Sequence, residues 1–253
     1  MFSTILRLIA ITIGCLILGV FAVLAVRSMG QAQSYAPPPH VWFQRPFWGI
    51  YKVAPEKLCK DTSWEADLPN AQWIVAIPVE RLGARDGGWI LGCKPTISLG
   101  DFLKRTKHTE FLLMVKAHDT WDLDKLVEIG ESFKKNHYAV TADAQKVLIY
   151  LRKQAPDWLF AADSASLLRL ATYESLYIES AMEFWPDFVI SPLDENVPDT
   201  VAIDARMAAE LERRKKRLIW NMPQSTSADP RIPFQGIMTD RPSAAQQKWS
   251  DRL

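Results

Sequence analysis

The densest run of side chains able to do chemistry is "KAHDTWD", Lys116 to Asp122, directly after the apolar stretch "FLLMV". A lysine ammonium can hold a phosphate as a compact positive charge. An imidazole two residues on, at His118, could pass a proton, and the carboxylate of Asp119 could orient it. Polar groups recur wherever other apolar segments end: Lys52, Glu80, Asn221, Asp240 and Arg241, with Asp143, Asp163 and Asp194 after further segments. Brought to one rim, Lys52, Glu80, Lys116, Asn221 and Arg241 would bind an anionic ligand. Lys116, His118, Asp119 and Asp240 are the candidates for catalysis. The plainer reading of His118 and Asp119 is a loop pair capping a helix that begins near Asp122. There is no CxxC and no Cys/His cluster, so no resident metal site or cofactor is predicted.

Stepping along the chain, short apolar or β-branched runs predict strands at Trp48–Val53, Trp73–Val79, Glu110–Lys116, Tyr138–Thr141, Trp158–Ala161, Phe188–Ser191, Leu218–Trp220 and Gln235–Met238. Between them, helical spacing predicts Ser98–Arg105, Asp122–Asn136, Asp143–Gln154, Ser164–Leu170 and Asp204–Lys216, with Ser98 as a cap. Strands that are apolar almost throughout and joined by helices argue for parallel pairing. A chain of 253 residues, 48% of them hydrophobic, suits one core of the size of a (β/α)8 barrel. An open doubly wound sheet is the alternative, and the lack of a Gly-rich loop after the first strand counts against it. The fold class expected is therefore α/β, a (β/α)8 TIM-type barrel.

Charge nearly cancels, 30 basic residues against 29 acidic, which argues against a nucleic-acid partner. The run "RRKKR", Arg213 to Arg217, reads as a solvated helix end, or alternatively as a contact for anionic lipid. The acidic stretch Asp194 to Asp199 matches no calcium-loop template. His40, His108 and His137 fall in a linker or at strand starts, the wrong rim for chemistry, and read as surface residues.

From Leu8 to Val26 the chain carries no charge, and as a helix this run would span about 28 Å, enough for the hydrocarbon core of a bilayer. A single retained membrane helix over residues 1–29 is expected, with a cleaved signal peptide ending at "SMG" as the alternative. A spacer over 30–46 with Pro37, Pro38 and Pro39 would hold the domain off the membrane, on the extracytoplasmic side. The barrel would occupy 47–242, and 243–253 would be a tail. Cys59 and Cys93 lie in the domain; they would pair in an exported domain and stay reduced in a cytosolic one.

The segment "GIMTDRP", Gly236 to Pro242, resembles the terminal strand of the glycerophosphodiester phosphodiesterase family. Other pieces follow in family order: "APE" at Ala54 to Glu56, "ARDGGWIL" at Ala84 to Leu91, "KPTISLGDFL" at Lys94 to Leu103, "FLLMVK", and "LIWN" at Leu218 to Asn221. The ordered series spans about Phe47 to Pro242. The resemblance implies a barrel that cleaves phosphodiesters with two histidines and a divalent cation held by carboxylates. Those residues are not where the family pattern has them. Tyr51-Lys52-Val53 stands in place of the first histidine motif. The metal-binding pair of the second strand becomes Val75 and Ile77, or Ala76 and Pro78 under a shifted alignment. The stretch for the second histidine is missing, and Met114 replaces the third-strand carboxylate while Lys116 remains.

The expectation is thus a membrane-anchored homologue of these enzymes that binds a phosphodiester, a lipid headgroup or a protein without catalysis. The alternative is an active phosphoric diester hydrolase of lipid metabolism with a site rebuilt around Glu80, Lys116, His118 and Asp240, and only that reading calls for a divalent cation.

Overall fold

The computed structural model describes residues 2–31, 39–70, 72–82, 88–94, 96–176, 179, 182–191, 203–222 and 232–248. Among the described residues nine strands form one sheet: β1 (Trp48–Lys52), β2 (Ile74–Arg81), β3 (Trp89–Leu91), β4 (Glu110–Lys116), β5 (His137–Ala142), β6 (Leu159–Phe160), β7 (Phe188–Ser191), β8 (Arg217–Asn221) and β9 (Gly236–Thr239). The order is β6-β5-β4-β2-β1-β9-β8-β7, every pair along it parallel, with β3 antiparallel to β2 off that path. A parallel bridge between Ala161 and Phe188 joins β6 to β7 and brings the sheet round to a nearly closed barrel. The barrel expectation holds. All eight predicted strands are present, Glu110–Lys116 and Phe188–Ser191 with the same bounds.

Helices α2 (Pro55–Lys60), α3 (Leu99–Arg105), α4 (Leu123–Ser132), α5 (Gln145–Gln154), α6 (Ser164–Ser175), α7 (Ala205–Arg213) and α8 (Pro242–Lys248) alternate with the strands. Each of the longer ones lays an apolar stripe on the barrel: Leu123 and Leu126 from α4; Val147, Leu148 and Leu151 from α5; Leu167 and Leu170 from α6; Met207 and Leu211 from α7. Side-chain oxygens of Ser98, Asp163 and Asp204 accept N–H bonds that start α3, α6 and α7. α4 stops at Ser132, four residues short of the predicted end, while α6 runs on to Ser175. Ranges read from periodicity err at the ends because the last turn is decided by tertiary contacts.

The barrel encloses two apolar zones. Alternate strand residues (Trp48, Ile50, Ile74, Ala76, Leu112, Ala139, Leu159, Phe188, Ile190, Ile219 and Met238) fill the lumen together with Trp42. The intervening residues, among them Tyr51, Val75, Ile77, Phe111, Leu113, Val140, Val189, Leu218 and Ile237, pack under the helices.

The floor of the lumen is sealed by residues expected to be spacer. A 3-10 turn, Val41–Gln44, buries Trp42, whose carbonyl accepts the Trp48 indole N–H at 2.7 Å. Arg45 pairs with the buried Glu110 at 2.5 Å. Arg217 donates to the carbonyls of Phe43, Arg45 and Pro46. The packed domain therefore begins by His40. The basic run is likewise not a solvated helix end. Arg213 and Arg214 both bond Glu210, Arg214 also donates to the carbonyls of Glu179 and Met182, and Lys216 is 2% exposed. Lys215, at φ 58, provides the left-handed turn that ends α7, and its side chain is exposed.

α1 runs Phe2–Gln31. Among the described residues no helix is long and apolar enough to cross a membrane. The side chains described without a break there are those of 11–25, a helical length of about 22 Å. They are almost all exposed, with Ile11, Leu16, Leu18 and Phe21 open to the surroundings. Asp194–Asp199, Ala84, Pro37 and Pro38 lie outside the described residues.

Candidate functional site

Strand parity decides which rim residues face the lumen. In β1, Trp48 and Ile50 point inward, so Lys52 continues that row; in β2 the row is Ile74, Ala76, Pro78 and Glu80; in β4 it is Leu112, Met114 and Lys116. In β8 Ile219 leads to Asn221, and in β5 Ala139 leads to Thr141. Lys52, Glu80, Lys116 and Asn221 are thereby brought to one place, the inner edge of the C-terminal mouth, where barrels of this type carry their sites. Thr141, which sequence reasoning did not single out, joins them, paired in register with Met114. Its signal was its position two residues beyond Ala139 in a β-branched run.

Glu80 and Lys116 are direct neighbours in the β2–β4 register. Glu80 is half-buried with its carboxyl against Gly92, whose backbone leaves room for it. Lys52 and Lys116 are exposed to the mouth, so their ammonium groups stay hydrated and available to an anion. Asn221 is half-buried and pairs in register with Met238. Arg241 does not join the group. It shares the outward parity of Ile237 and Thr239, and its own N–H donates to the Thr239 hydroxyl at 3.1 Å. Asp240 lies just past β9, two residues beyond the inward Met238, and its charge reaches Tyr51. Burial raises the Tyr51 phenol, its hydrogen bond to Asp67 raises it further, and the charges of Asp67 and Asp240 add to this.

The parity also settles the shifted alignment: Ala76 and Pro78, not Val75 and Ile77, occupy the inward positions of β2. Ala76, Pro78 and Met114 offer no ligand oxygen from their side chains, leaving Glu80 as the one carboxylate in the inward rows of β1, β2 and β4. These residues do not fit the divalent cation that the resemblance implies, which needs several oxygen donors. Among the described residues no group of three or more His, Cys, Asp or Glu side chains is placed to hold a metal ion.

His118 and Asp119 occupy the exposed loop after β4. Their expected role as a helix cap is not what the structure has. The residue before α4 is Asp122, in the left-handed conformation at φ 65 and without a capping bond. Asp119 instead accepts the Trp121 N–H at 3.2 Å and lies 3.7 Å from Arg81. His118 is exposed, two residues beyond Lys116.

The three remaining histidines sit at the floor, as expected, but His40 is buried and His108 and His137 are half-buried rather than fully exposed. His40 is 8% exposed, its Nδ1 accepts the Trp42 N–H, and its ring meets His137 edge-on at 5.5 Å. Burial, then the nearby His137 and Arg45 charges, push the His40 imidazole down to about 4. His108 packs edge-on against Trp64 and Phe111, and its burial lowers it as well. Aromatic packing from distant parts of the chain covers these rings, and no local pattern announces it.

A disulfide joins Cys59 of α2 to Cys93. Cys93 follows Gly92, so the bridge ties the segment after β1 to the turn that lies against Glu80.

The sequence matches no protein-family model, and it matches no curated protein. Among solved structures the chain is similar to a glycerophosphodiester phosphodiesterase from Parabacteroides distasonis, at 13% identity and TM-score 0.48, over 81% of this chain and 99% of that one. It is similar also to one from Agrobacterium tumefaciens, at 10% identity and TM-score 0.47, over 78% of this chain and 97% of that one.

Proposed function

We propose that this is a membrane-anchored barrel that binds a phosphodiester or lipid headgroup at its mouth without cleaving it. The observation that carries the reading is the inward row of Lys52, Lys116 and Asn221: two ammonium groups and an amide converge where apolar or absent side chains replace the metal-binding and proton-shuttling residues of the motif series. Ammonium groups and amide N–H donors suit phosphate oxygens. A mouth with one inward carboxylate across β1, β2 and β4 lacks the donor set for the inherited chemistry.

Two further observations support the placement of the protein. The uncharged run Leu8–Val26 and the exposed apolar surface of α1 suit a single-pass anchor. The Cys59–Cys93 bridge suits a domain on the extracytoplasmic side, because disulfides persist in oxidising compartments.

The test is the full chain in detergent with a panel of glycerophosphodiesters and calcium, magnesium or EDTA. Saturable binding without turnover, weakened about tenfold or more in Lys116→Ala and Lys52→Ala, is the expected result. Metal-dependent hydrolysis lost in Lys116→Ala and His118→Ala would replace this reading with the rebuilt hydrolase. Absence of binding would remove the mouth as a phosphate site.

A further inference from the structure

The chain enters the barrel through its floor. The His40 ring lies 5.5 Å from His137 at the start of β5, and Arg45 pairs with Glu110 at the start of β4. α1 ends at Gln31 and the described chain resumes at Pro39. Fully extended, the stretch between them reaches about 28 Å at roughly 3.5 Å per residue. The mouth is a strand's length away from this entry, about 23 Å for the 7 residues of β4. It also stands behind a layer of helices about 10 Å thick, which the spacer would first have to round. A spacer of this length runs out before it can bring the mouth down to a bilayer that holds α1. The floor is the end that can meet it.

The charge on that end is not spread evenly. β4, β5 and β6 are neighbours in the sheet, and the segments leading into them expose Arg105 and Lys107, Lys134 and Lys135, and Lys153. Cations at helix C-termini are common because the helix dipole favours them. Here, however, three adjacent connections bring theirs to one arc of the floor. Acids are fewer there. Glu131 and Asp157 are exposed, while the half-buried Glu65 accepts the Thr106 hydroxyl and the Lys107 N–H. The entry point lies within the same arc: His40 lines a cavity of about 210 Å³ together with Lys134, Asn136 and His137. The chain therefore leaves the barrel, on its way to α1, through the most basic part of the floor.

We propose that this arc, Arg105, Lys107, Lys134, Lys135 and Lys153, is a docking surface for an anionic bilayer. This rests on the membrane-anchored reading. The arc settles on acidic headgroups beside the anchor, each cation adding attraction at the surface, and the mouth opens to water on the far side of the barrel.

The test is the full chain reconstituted in nanodiscs of phosphatidylcholine, alone or with about a third phosphatidylglycerol. Lysine reactivity is read by pulse acetylation and mass spectrometry. Lys107, Lys134, Lys135 and Lys153 react about fivefold more slowly in the anionic discs. Lys52 and Lys116 lie farther off than the Debye length of about 8 Å and react alike in both. Salt at about 0.5 M removes the difference, and Lys134→Glu combined with Lys135→Glu removes it at Lys107 and Lys153. Equal reactivity of the arc lysines in the two kinds of disc overturns the inference and spares the anchor. Protection of Lys52 and Lys116 instead would put the mouth on the bilayer and overturn it as well. A chain that co-purifies with neither disc overturns the anchor and this inference together.

Discussion

Breaking the Cys59–Cys93 bridge tests how the mouth is held together. The closed loop has a sequence separation of 34 residues. Chain-entropy reckoning for such a loop gives a contribution of about 3.8 kcal/mol at 25 °C, by restricting the unfolded chain. The native state adds a second reason to expect a large effect. Cys59 is 3% exposed among the side chains under α2, and Cys93 adjoins the Gly92 turn that packs on Pro78 and Glu80. In a chain of this size the loss corresponds to a fall of about 8–15 °C in Tm. The assay is thermal unfolding of the full chain in detergent, wild type against Cys59→Ala, Cys93→Ala and the double variant, with a thiol count before and after reduction. Either single change removes the whole bond, so the three variants lose nearly the same amount. Denatured, unreduced wild type exposes the Cys15 thiol, and reduction adds two more. A loss below about 1 kcal/mol in all three variants would refute the reckoning. Variants that add their effects would mean that packing, not the bond, had been measured.

Other perturbations give outcomes of different sign or origin. Gly130→Ala sets helix propensity, a gain of about 1 kcal/mol, against overpacking, because the new Cβ would lie 2.9 Å from Trp158 Cη2 and nearer still to Cζ2. Trp158 is buried, so we expect a net loss of about 1–2 kcal/mol in denaturant unfolding. Glu110→Gln leaves Arg45 partly buried without its countercharge and loosens the floor strap, costing about 3 kcal/mol, which added salt does not restore. The depressed His40 pKa makes a pH prediction. The unfolded imidazole takes up its proton near 6.5 and the folded one only near 4, so stability falls as pH drops through that window and levels off below it. Allowing for partial solvent screening, the fall is about 2 kcal/mol. His40→Asn, which keeps an acceptor for Trp42, should flatten the profile in urea titrations at pH 7, 5 and 4.

Much of this architecture was legible in the sequence because it is local. Apolar runs such as "FLLMV" and "FVIS" bury both faces in a parallel barrel, so they announce strands without any partner being known. Period two then carries Lys52, Glu80, Lys116 and Asn221 to the inner edge of one rim, since each stands an even number of residues from a lumen-filling neighbour. The same arithmetic carries Asp240 inward, two residues beyond Met238, and turns Arg241 away, but it could be done only once the lumen side of β9 was known. Tertiary structure alone decided what depends on distant segments meeting. Trp42 plugs the floor because Trp48, Arg217 and Glu110 are gathered there by barrel closure. Cys59 and Cys93 meet because α2 packs beside the turn after β3. Arg81 reaches Trp121 because β2 and β4 are neighbours. The stretch "RRKKR" looks like surface in one dimension, yet Glu210, Asp187 and the carbonyls of two separate segments absorb most of its charge. Hydrophobic pattern specifies elements and faces, whereas the pairing of charges and the burial of polar rings wait on closure of the barrel.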